Sequence, residues 1–421
     1  MGVLQKEFDR VFEELCTTDS LRVMLVRRVA EARELSLTEE QIQTLAKSIN
    51  GDSGHDEVEV QLDGFSEDIR ITSEDLEAAL KTLEEDMEGR AEKSVLAALD
   101  ELPPGVLKSL YDDLPEALRH RRGLECQFRD RHFGRWKEGL DRLEMLIMIA
   151  QESGSTYIED LNEGGIEEIG EEMSADDSGM LKALIGLHAR ACRIASEALC
   201  LLQGGYADGA NARWRSLHEV AVTALFLTQH AGNIADRYMD HAAVECLNAA
   251  EQYQKHCHTL GYDPYTVEEM NEIRAEADAV IQKYGPDFKR DYGWASHALG
   301  TADATFTKVE AALDMAHWRP FFKMACHSVH AGSQALSFCM SVPTEAHGML
   351  LTGPSNAGLA DPGHSTAISL TLASVALLTF RPNLDSLVTC KCMQQLCDDI
   401  GEAFLAAHEG LEGEMNSDPP A

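Results

Sequence analysis

The chain has 421 residues and a formal net charge of −36, from 72 acidic and 36 basic side chains. So acidic a chain repels polyanions, which argues against a protein that coats DNA through a clustered positive field. Eleven cysteines, an odd number scattered along the chain, are not typical of a secreted disulfide scaffold. The N-terminus lacks the apolar core of a signal peptide, and the longest apolar stretch, 367–380, is too short to span a bilayer. We therefore expect a cytoplasmic protein with no membrane partner.

The N-terminal part of the chain predicts a small α+β domain over residues 1–95. Alternation of apolar and polar side chains over 58–62 and 68–72, with Asp63-Gly64 between them, is typical of a β-hairpin. A capping-box pattern at Ser36–Glu39 predicts a helix to about Ser48, and the pattern at Thr72–Asp75 opens another. Helical spacing also runs through 3–16 and 21–32.

From the middle of the chain onward the pattern is almost purely helical. Pro103-Pro104 predicts a break inside a linker of residues 96–123. A helical bundle domain is expected over 124–410 and a disordered tail over 411–421. The fold class is therefore mainly α, a helical bundle behind a small N-terminal α+β domain with one hairpin. The predicted bundle helices are 124–149, 180–202, 208–228, 234–256, 267–284, 302–317, 321–340, 367–380 and 384–408.

Charge almost disappears between residues 324 and 384. This stretch of 61 residues contains only Glu345, Asp361 and Arg381 as charged side chains. Helices without a charged face are normally surrounded by protein. The segment is therefore expected to form core, a subunit interface or both, and we expect a homo-oligomer that uses it.

The predicted helix 321–340 combines an apolar stripe with an unusual second face. His327, His330, Gln334, Ser337 and Ser341 step by three and four, so that this face is polar but uncharged. Buried polar groups need partners. One interpretation is a ligand or catalytic pocket lined by the two histidines, and the other is a hydrogen-bonded layer between core helices.

A lone charge pair marks the predicted helix 208–228. Glu219 is the one formal charge between Ser216 and Ala235, and Arg215 precedes it by four residues on the same face. A carboxylate in so apolar a helix needs a partner. The pair is either a core ion pair that fixes the helix register or an anion-binding arginine oriented by Glu219.

Two spacings of arginine and histidine are those of HEPN ribonucleases, in which histidine handles protons and arginine stabilises the scissile phosphate. They are Arg213-x4-His218 and Arg290-x6-His297. In a chain with this many arginines and histidines such matches arise by chance, so the motif has little weight alone. The basic, aromatic-containing run 119–137 is either an RNA contact or a helix whose arginines pair with acidic residues elsewhere.

Several longer segments resemble a bacterial all-helical family catalogued only as a domain of unknown function. The resemblance covers about residues 128–404 and is carried by FRDRHFGRWKEGLDRLEMLIMIAQESG, GGYADGANARWRSLHE, DYGWASHALG, FKMACHSVHAG and LTGPSNAGL. It implies that an arginine and glutamate four apart, a Tyr-x-Trp pair and a Ser-x-His pair are characteristic. These match Arg215 with Glu219, Tyr292 with Trp294, and Ser328 with His330.

Two classes of function follow as hypotheses. The first is a defence or toxin-type, HEPN-like ribonuclease that needs no metal, with RNA as partner. Its candidate catalytic residues are His330, His297 and Arg290, and its candidate substrate-binding residues are Arg215, Glu219, His327 and Tyr292. The second is a non-catalytic sensor or oligomerisation scaffold. No metal or cofactor is expected in either case.

Overall fold

The computed structural model describes residues 17–49, 57–61, 68–163, 175–230, 232–337, 339–342 and 350–417, together with residues 6, 10 and 13. The chain divides into two compact units, Met1–Arg121 and Arg122–Ala421. It is mainly helical with one antiparallel two-stranded hairpin, which confirms the predicted fold class. Most of the predicted helix 3–16 and the Asp63-Gly64 turn lie outside the described residues.

The first unit contains two short helices, the hairpin and the beginning of a long helix. The elements are α1 (Thr18–Ala32), α2 (Glu39–Ser48), β1 (Glu57–Val60), β2 (Ile69–Thr72) and α3, which begins at Ser73. Val58 pairs with Ile71 in the hairpin, and a small core joins the hairpin to the helices through Val26, Val29, Leu45 and Ile71. Helix α2 begins with a capping box of Thr38 and Gln41, two residues later than predicted from Ser36.

Helix α3 (Ser73–Glu163) passes through the segment that the sequence assigns to a linker. Pro103 and Pro104 have no N–H, so the carbonyls of Leu99 and Asp100 lose their helical donors. Both of these residues are exposed, and water can therefore satisfy their carbonyls.

The second unit is a helical bundle. After α3 it contains, in chain order, α4 (Ala175–Gln203), α5 (Ala207–Gln229), α6 (Ile234–Leu260), α7 (Val267–Tyr284), α8 (Phe306–Ala312), α9 (Arg319–His327), α10 (Ala360–Leu378) and α11 (Leu384–Ser417). Helix α11 continues through residues 411–417, which the sequence assigns to a disordered tail. Within the described ranges, none of the helices is both long enough and apolar enough to cross a bilayer.

Helix α10 lies at the centre of the bundle, where it packs on α4, α5 and α11. Its buried side chains are mostly small, among them Ala367, Ala373 and Ser374. Small residues let neighbouring helices approach closely, and Trp214 of α5 donates a hydrogen bond to Ser369 Oγ at 3.0 Å. The apolar sequence of this segment predicts a buried helix, and the structure has one.

The predicted helix over 321–340 is wrong. Helix α9 ends at His327, and a short 3-10 helix, Ser333–Leu336, follows after an irregular stretch. Gly332 has the extended backbone angles φ −70° and ψ 156°, which interrupt a helix. The polar face inferred from continuous helical spacing therefore does not form. Val329 and Leu336 are 48% and 85% exposed, so this part of the charge-poor segment is not core.

Gly363 of α10 and Gly186 of α4 differ in the space around their Cβ positions, so alanine substitutions at the two should change stability in opposite directions. A Cβ at this position would lie 2.5 Å from the ring of Phe404, which is fully buried. We expect Gly363→Ala to destabilise the protein by about 1–3 kcal/mol through overpacking. Gly186 of α4 has open space around its Cβ position, so Gly186→Ala should be stabilising by about 0.5–1 kcal/mol. Urea unfolding measures both, and equal effects would contradict this account.

The buried imidazole of His188 on α4 makes the free energy of unfolding depend on pH in the acid range. It is 5% exposed, and burial lowers its pKa from 6.5 to about 4. As the pH falls, His188 therefore binds a proton near pH 6.5 in the unfolded chain but only near pH 4 in the folded chain. The stability due to neutral His188 is complete above pH 6.5 and is lost as the pH falls towards 4. The two pKa values differ by the equivalent of about 3 kcal/mol.

Unfolding free energies of wild type and His188→Leu at pH 7.5 and pH 5 test this assignment. The loss of stability between the two pH values should be smaller in the variant, because only the other titratable groups, among them His218 and His364 with their lowered pKa values, then contribute to it. Identical losses in the two proteins would show that His188 is not the group responsible.

Candidate functional site

A fully buried carboxylate joins three helices of the second unit. Glu310 of α8 is 0% exposed. One of its oxygens lies 2.9 Å from Nε2 of His218 on α5, and the other pairs with the guanidinium of Arg319, the first residue of α9. An unpaired charge at this depth would cost several kcal/mol. The contacts of Glu310 therefore hold α5, α8 and α9 in one arrangement.

Aromatic rings surround the buried trio formed by Glu310, His218 and Arg319. The rings of Trp214, Phe306, Trp318 and Phe322 all have centroids 5.5–6.1 Å from that of His218. Burial lowers the pKa of His218, although its hydrogen bond to Glu310 acts in the opposite direction. A neutral imidazole with its proton on Nε2 donates to Glu310, so that glutamate and Arg319 balance each other's charge.

A second ion pair lies on the same side of α5, closer to solvent. Arg215 and Glu219 approach to 3.2 Å, and their side chains are 23% and 31% exposed. The guanidinium carbon of Arg215 lies 4.6 Å from the ring centroid of Phe322, and that of Arg319 lies 5.1 Å from it. Phe322 of α9 thus contacts both arginines, and the ion pair adjoins the buried trio.

Three arginines act on one carboxylate at this place. Burial raises the pKa of Glu219, and Arg215, Arg190 and Arg319 oppose the shift in that order. The Tyr292 hydroxyl belongs to the same neighbourhood: burial raises its pKa to about 12, Glu219 adds to the rise, and Arg215 opposes it. We call Arg190, Arg215, Arg319, Glu219 and Tyr292 the arginine cluster.

The three arginines of the arginine cluster differ in how they are paired. Arg319 is balanced by Glu310 and Arg215 by Glu219. Arg190 on α4 is exposed and, among the residues that the structure describes, forms no ion pair of its own. Three arginines gathered beside one half-buried carboxylate are unusual in a chain with a net charge of −36.

The remaining residues predicted from sequence lie elsewhere. His297 and His330 are exposed. The Arg290 side chain, also exposed, donates a hydrogen bond to the carbonyl of Ala302 at 3.0 Å, so it has a role in holding its own loop. Of the seven predicted site residues, the structure brings together Arg215, Glu219 and Tyr292.

His327 lines a separate cavity of about 460 Å³ with Asp208 and Ser341. Asp208, in the first turn of α5, accepts hydrogen bonds from the backbone N–H of Met340 at 3.0 Å and from the Ser341 hydroxyl at 2.7 Å. The carboxylate thereby fixes the chain near residue 340 to α5, a structural role for a residue that carries charge in an apolar region.

Sequence reasoning missed Glu310, Arg319 and the role of His218. Glu310 lies 92 residues after His218 in a segment with ordinary amphipathic spacing, so no local signal marks it. The sequence feature that correctly predicted part of the site was the isolated position of Glu219 in an apolar helix.

Both the bundle and the arginine cluster can now be set beside known proteins. The second unit defines an all-helical bundle with a polar site between α4, α5 and α9. Residues 181–347, less than half of the chain, match the model of a family of unknown function, DUF5677. This match confirms the expected resemblance to an uncharacterised family, over a shorter span than predicted. No curated protein and no solved structure matches the chain.

The matched residues 181–347 include every member of the arginine cluster together with His218 and Glu310. The cluster therefore lies in the part of the chain that matches the family model, and the N-terminal unit lies outside the matched residues.

The two ion pairs should differ sharply in their contribution to stability. We expect Glu310→Ala to destabilise the protein by about 3–5 kcal/mol, because it leaves Arg319 without its buried counter-charge. Glu219→Gln removes a carboxylate from a more exposed pair and should cost about 1 kcal/mol or less. Chemical denaturation of both variants provides the comparison, and an equal loss would mean that Glu310 is not the organising charge.

Proposed function

We propose that the chain is a helical recognition module that binds a small phosphate-bearing ligand at the arginine cluster. The observation that supports this most directly is the set of three arginines around the single carboxylate of Glu219. An ion pair that only fixed the register of α5 would need one arginine. Arg190, which forms no ion pair of its own among the described residues, leaves a guanidinium group that an external anion can contact.

The surroundings of the arginines suit such a ligand. Arg215 and Arg319 contact Phe322, which holds their planar groups in place and limits the entropy lost on binding. Arginine presents paired N–H donors that match phosphate oxygens. The Tyr292 hydroxyl, protonated because its pKa is about 12, supplies a further neutral donor.

A second candidate function is cleavage of a phosphodiester without metal. It is favoured by one feature, the burial-raised pKa of Glu219 beside arginines, because a carboxyl of this kind can exchange protons while arginine stabilises phosphate. In this scheme Glu219 takes the acid–base role that the sequence assigned to His330 or His297. A HEPN-like ribonuclease of a bacterial, cytoplasmic defence system is the corresponding biological hypothesis, and the acidity of the chain counts against RNA as ligand.

We also infer self-association through the charge-poor segment 324–384. Its helix α10 is used inside the bundle, but Leu336 and Leu350 are 85% and 84% exposed in the single chain. Exposed apolar side chains in a segment with so few charges favour contact with a second copy.

Binding of inorganic pyrophosphate, measured by isothermal titration calorimetry, tests the recognition function. We expect Arg215→Gln and Arg190→Gln each to weaken binding about tenfold, since hydrogen bonds to charged groups contribute about 1.5–3 kcal/mol. The matched control is Arg193→Gln, which removes an exposed arginine from the same helix α4 outside the arginine cluster. Absence of binding, or an equal loss in the control, would contradict the proposal.

Degradation of total RNA in the presence of a chelator separates the two candidate functions. Activity that is lost in Arg215→Ala and in Glu219→Gln, and kept in His330→Ala, would favour the nuclease. Equal behaviour of all four proteins would remove it and leave recognition as the function of the arginine cluster.

A further inference from the structure

A second cavity, larger than the one that His327 lines, lies next to Trp318. It has a volume of about 660 Å³ and is bounded by the beginning of α10, the middle of α11 and the start of α9. Cavities of this size accommodate small organic molecules. Its apolar walls are the side chains of Trp318, Phe321, Ile368 and Leu405.

The charged groups of this cavity are all acidic. Asp361, Asp398 and Glu402 line it, and among its lining residues, all within the described chain, there is no lysine or arginine. All three carboxylates are exposed and therefore available at its mouth. Aromatic faces combined with carboxylates are the surroundings that organic cations prefer.

His364 adds a polar but uncharged wall. A Cβ at Gly401 would lie 2.6 Å from the His364 ring, so glycine at this place lets the imidazole pack directly on the backbone of α11. Burial lowers the pKa of His364, although Asp398 and Asp361 oppose the change. The ring is therefore neutral at pH 7 and does not repel a cation.

Ser365 adds a polar group to the wall of the cavity. Its side chain is one of the lining groups although the residue is only 8% exposed. Within the described chain its hydroxyl has no hydrogen-bond partner, whereas the nearby Thr366 hydroxyl donates to the carbonyl of Pro362 at 2.6 Å. Buried hydroxyl groups are normally paired. Ser365 is thus left with an oxygen that can accept a hydrogen bond from a ligand.

We propose that this cavity binds a primary alkylammonium ion. The ammonium group pairs with Asp398 and Glu402 and donates a hydrogen bond to Ser365, and the alkyl chain lies against Trp318, Phe321 and Ile368. A neutral amine or alcohol would lack the charge that the carboxylates recognise.

The alkylammonium site is distinct from the arginine cluster in the sign of its charge and in its residues. Trp318 separates the two regions, since its ring is 6.0 Å from that of His218 on one side and lines the cavity on the other. The proposal therefore does not depend on the function assigned to the arginine cluster.

Calorimetric titration of the full chain with n-butylammonium chloride tests the proposal, with n-butanol as the uncharged comparison. We expect saturable binding of the ammonium and none of the alcohol. Replacing two mouth carboxylates together, Asp398→Asn with Glu402→Gln, should weaken binding at least about tenfold. Phe321→Ala keeps the charge and should weaken binding about threefold, because it removes apolar surface that the alkyl chain covers.

The matched control replaces two other exposed acids of α11, Asp399→Asn with Glu409→Gln. It changes the net charge equally, so attraction to the acidic surface in general would fall by the same amount in both double variants. Circular dichroism confirms that each variant is folded, which is expected because the substituted acids are exposed. Equal losses in the two double variants, binding of butanol, or no saturation with butylammonium would each overturn the proposal.

Discussion

The buried Glu310 carboxylate is the interaction on which the arrangement of the second unit depends. Moving a carboxylate out of water costs several kcal/mol unless its charge and its lone pairs are satisfied. Here a neutral histidine from α5 satisfies one oxygen and an arginine from α9 the other. Because the carboxylate and its two partners come from three separate helices, the carboxylate is stable only when all three helices are in place. The positions of Arg215 and Phe322 follow from that constraint.

Charge balance then explains how one bundle can present two sites of opposite character. Arginines gather on the side of α5 that faces α4 and α9, whereas the surface between α10 and α11 carries carboxylates. In an acidic protein, surfaces that carry carboxylates are common. A group of arginines requires neighbouring carboxylates that balance its charge. The aromatic residues around Glu310 exclude water and strengthen the electrostatic interactions of that carboxylate with His218 and Arg319.

Much of the fold could be predicted from hydrophobic spacing because most helices have a charged face. Helix α7 has the bounds predicted from sequence, Val267–Tyr284. The helix predicted over 321–340 failed for a physical reason. Where charged residues are almost absent, small and polar residues spaced by three and four occur in irregular chain as well as in helices. Gly332, where the helical pattern is interrupted, did not by itself mark the end of the helix. The helix predicted over 302–317 is shorter in the structure, Phe306–Ala312, and Asp314 just beyond its end has the left-handed φ of 57°.

The arginine cluster could be predicted only in part. Arg215 and Glu219 are four residues apart on one helix, so their contact follows from helical geometry. Arg319 and Glu310 reach the cluster through tertiary packing, which no local pattern encodes. The histidines of the former polar face were chosen on the assumption of continuous helix, and His330 is exposed once that helix ends at His327.

The small side chains of α10 bear on how this bundle can vary. Helices α4, α5 and α11 all rest on a surface of alanine, serine and glycine, where Gly363 touches Phe404 and Ser369 accepts the indole N–H of Trp214. A larger residue there would displace several neighbours at once, because close-packed interiors have no spare volume. Substitutions that keep the packing of α10 intact are therefore expected at the rims of the bundle, where they can change specificity without disturbing its centre.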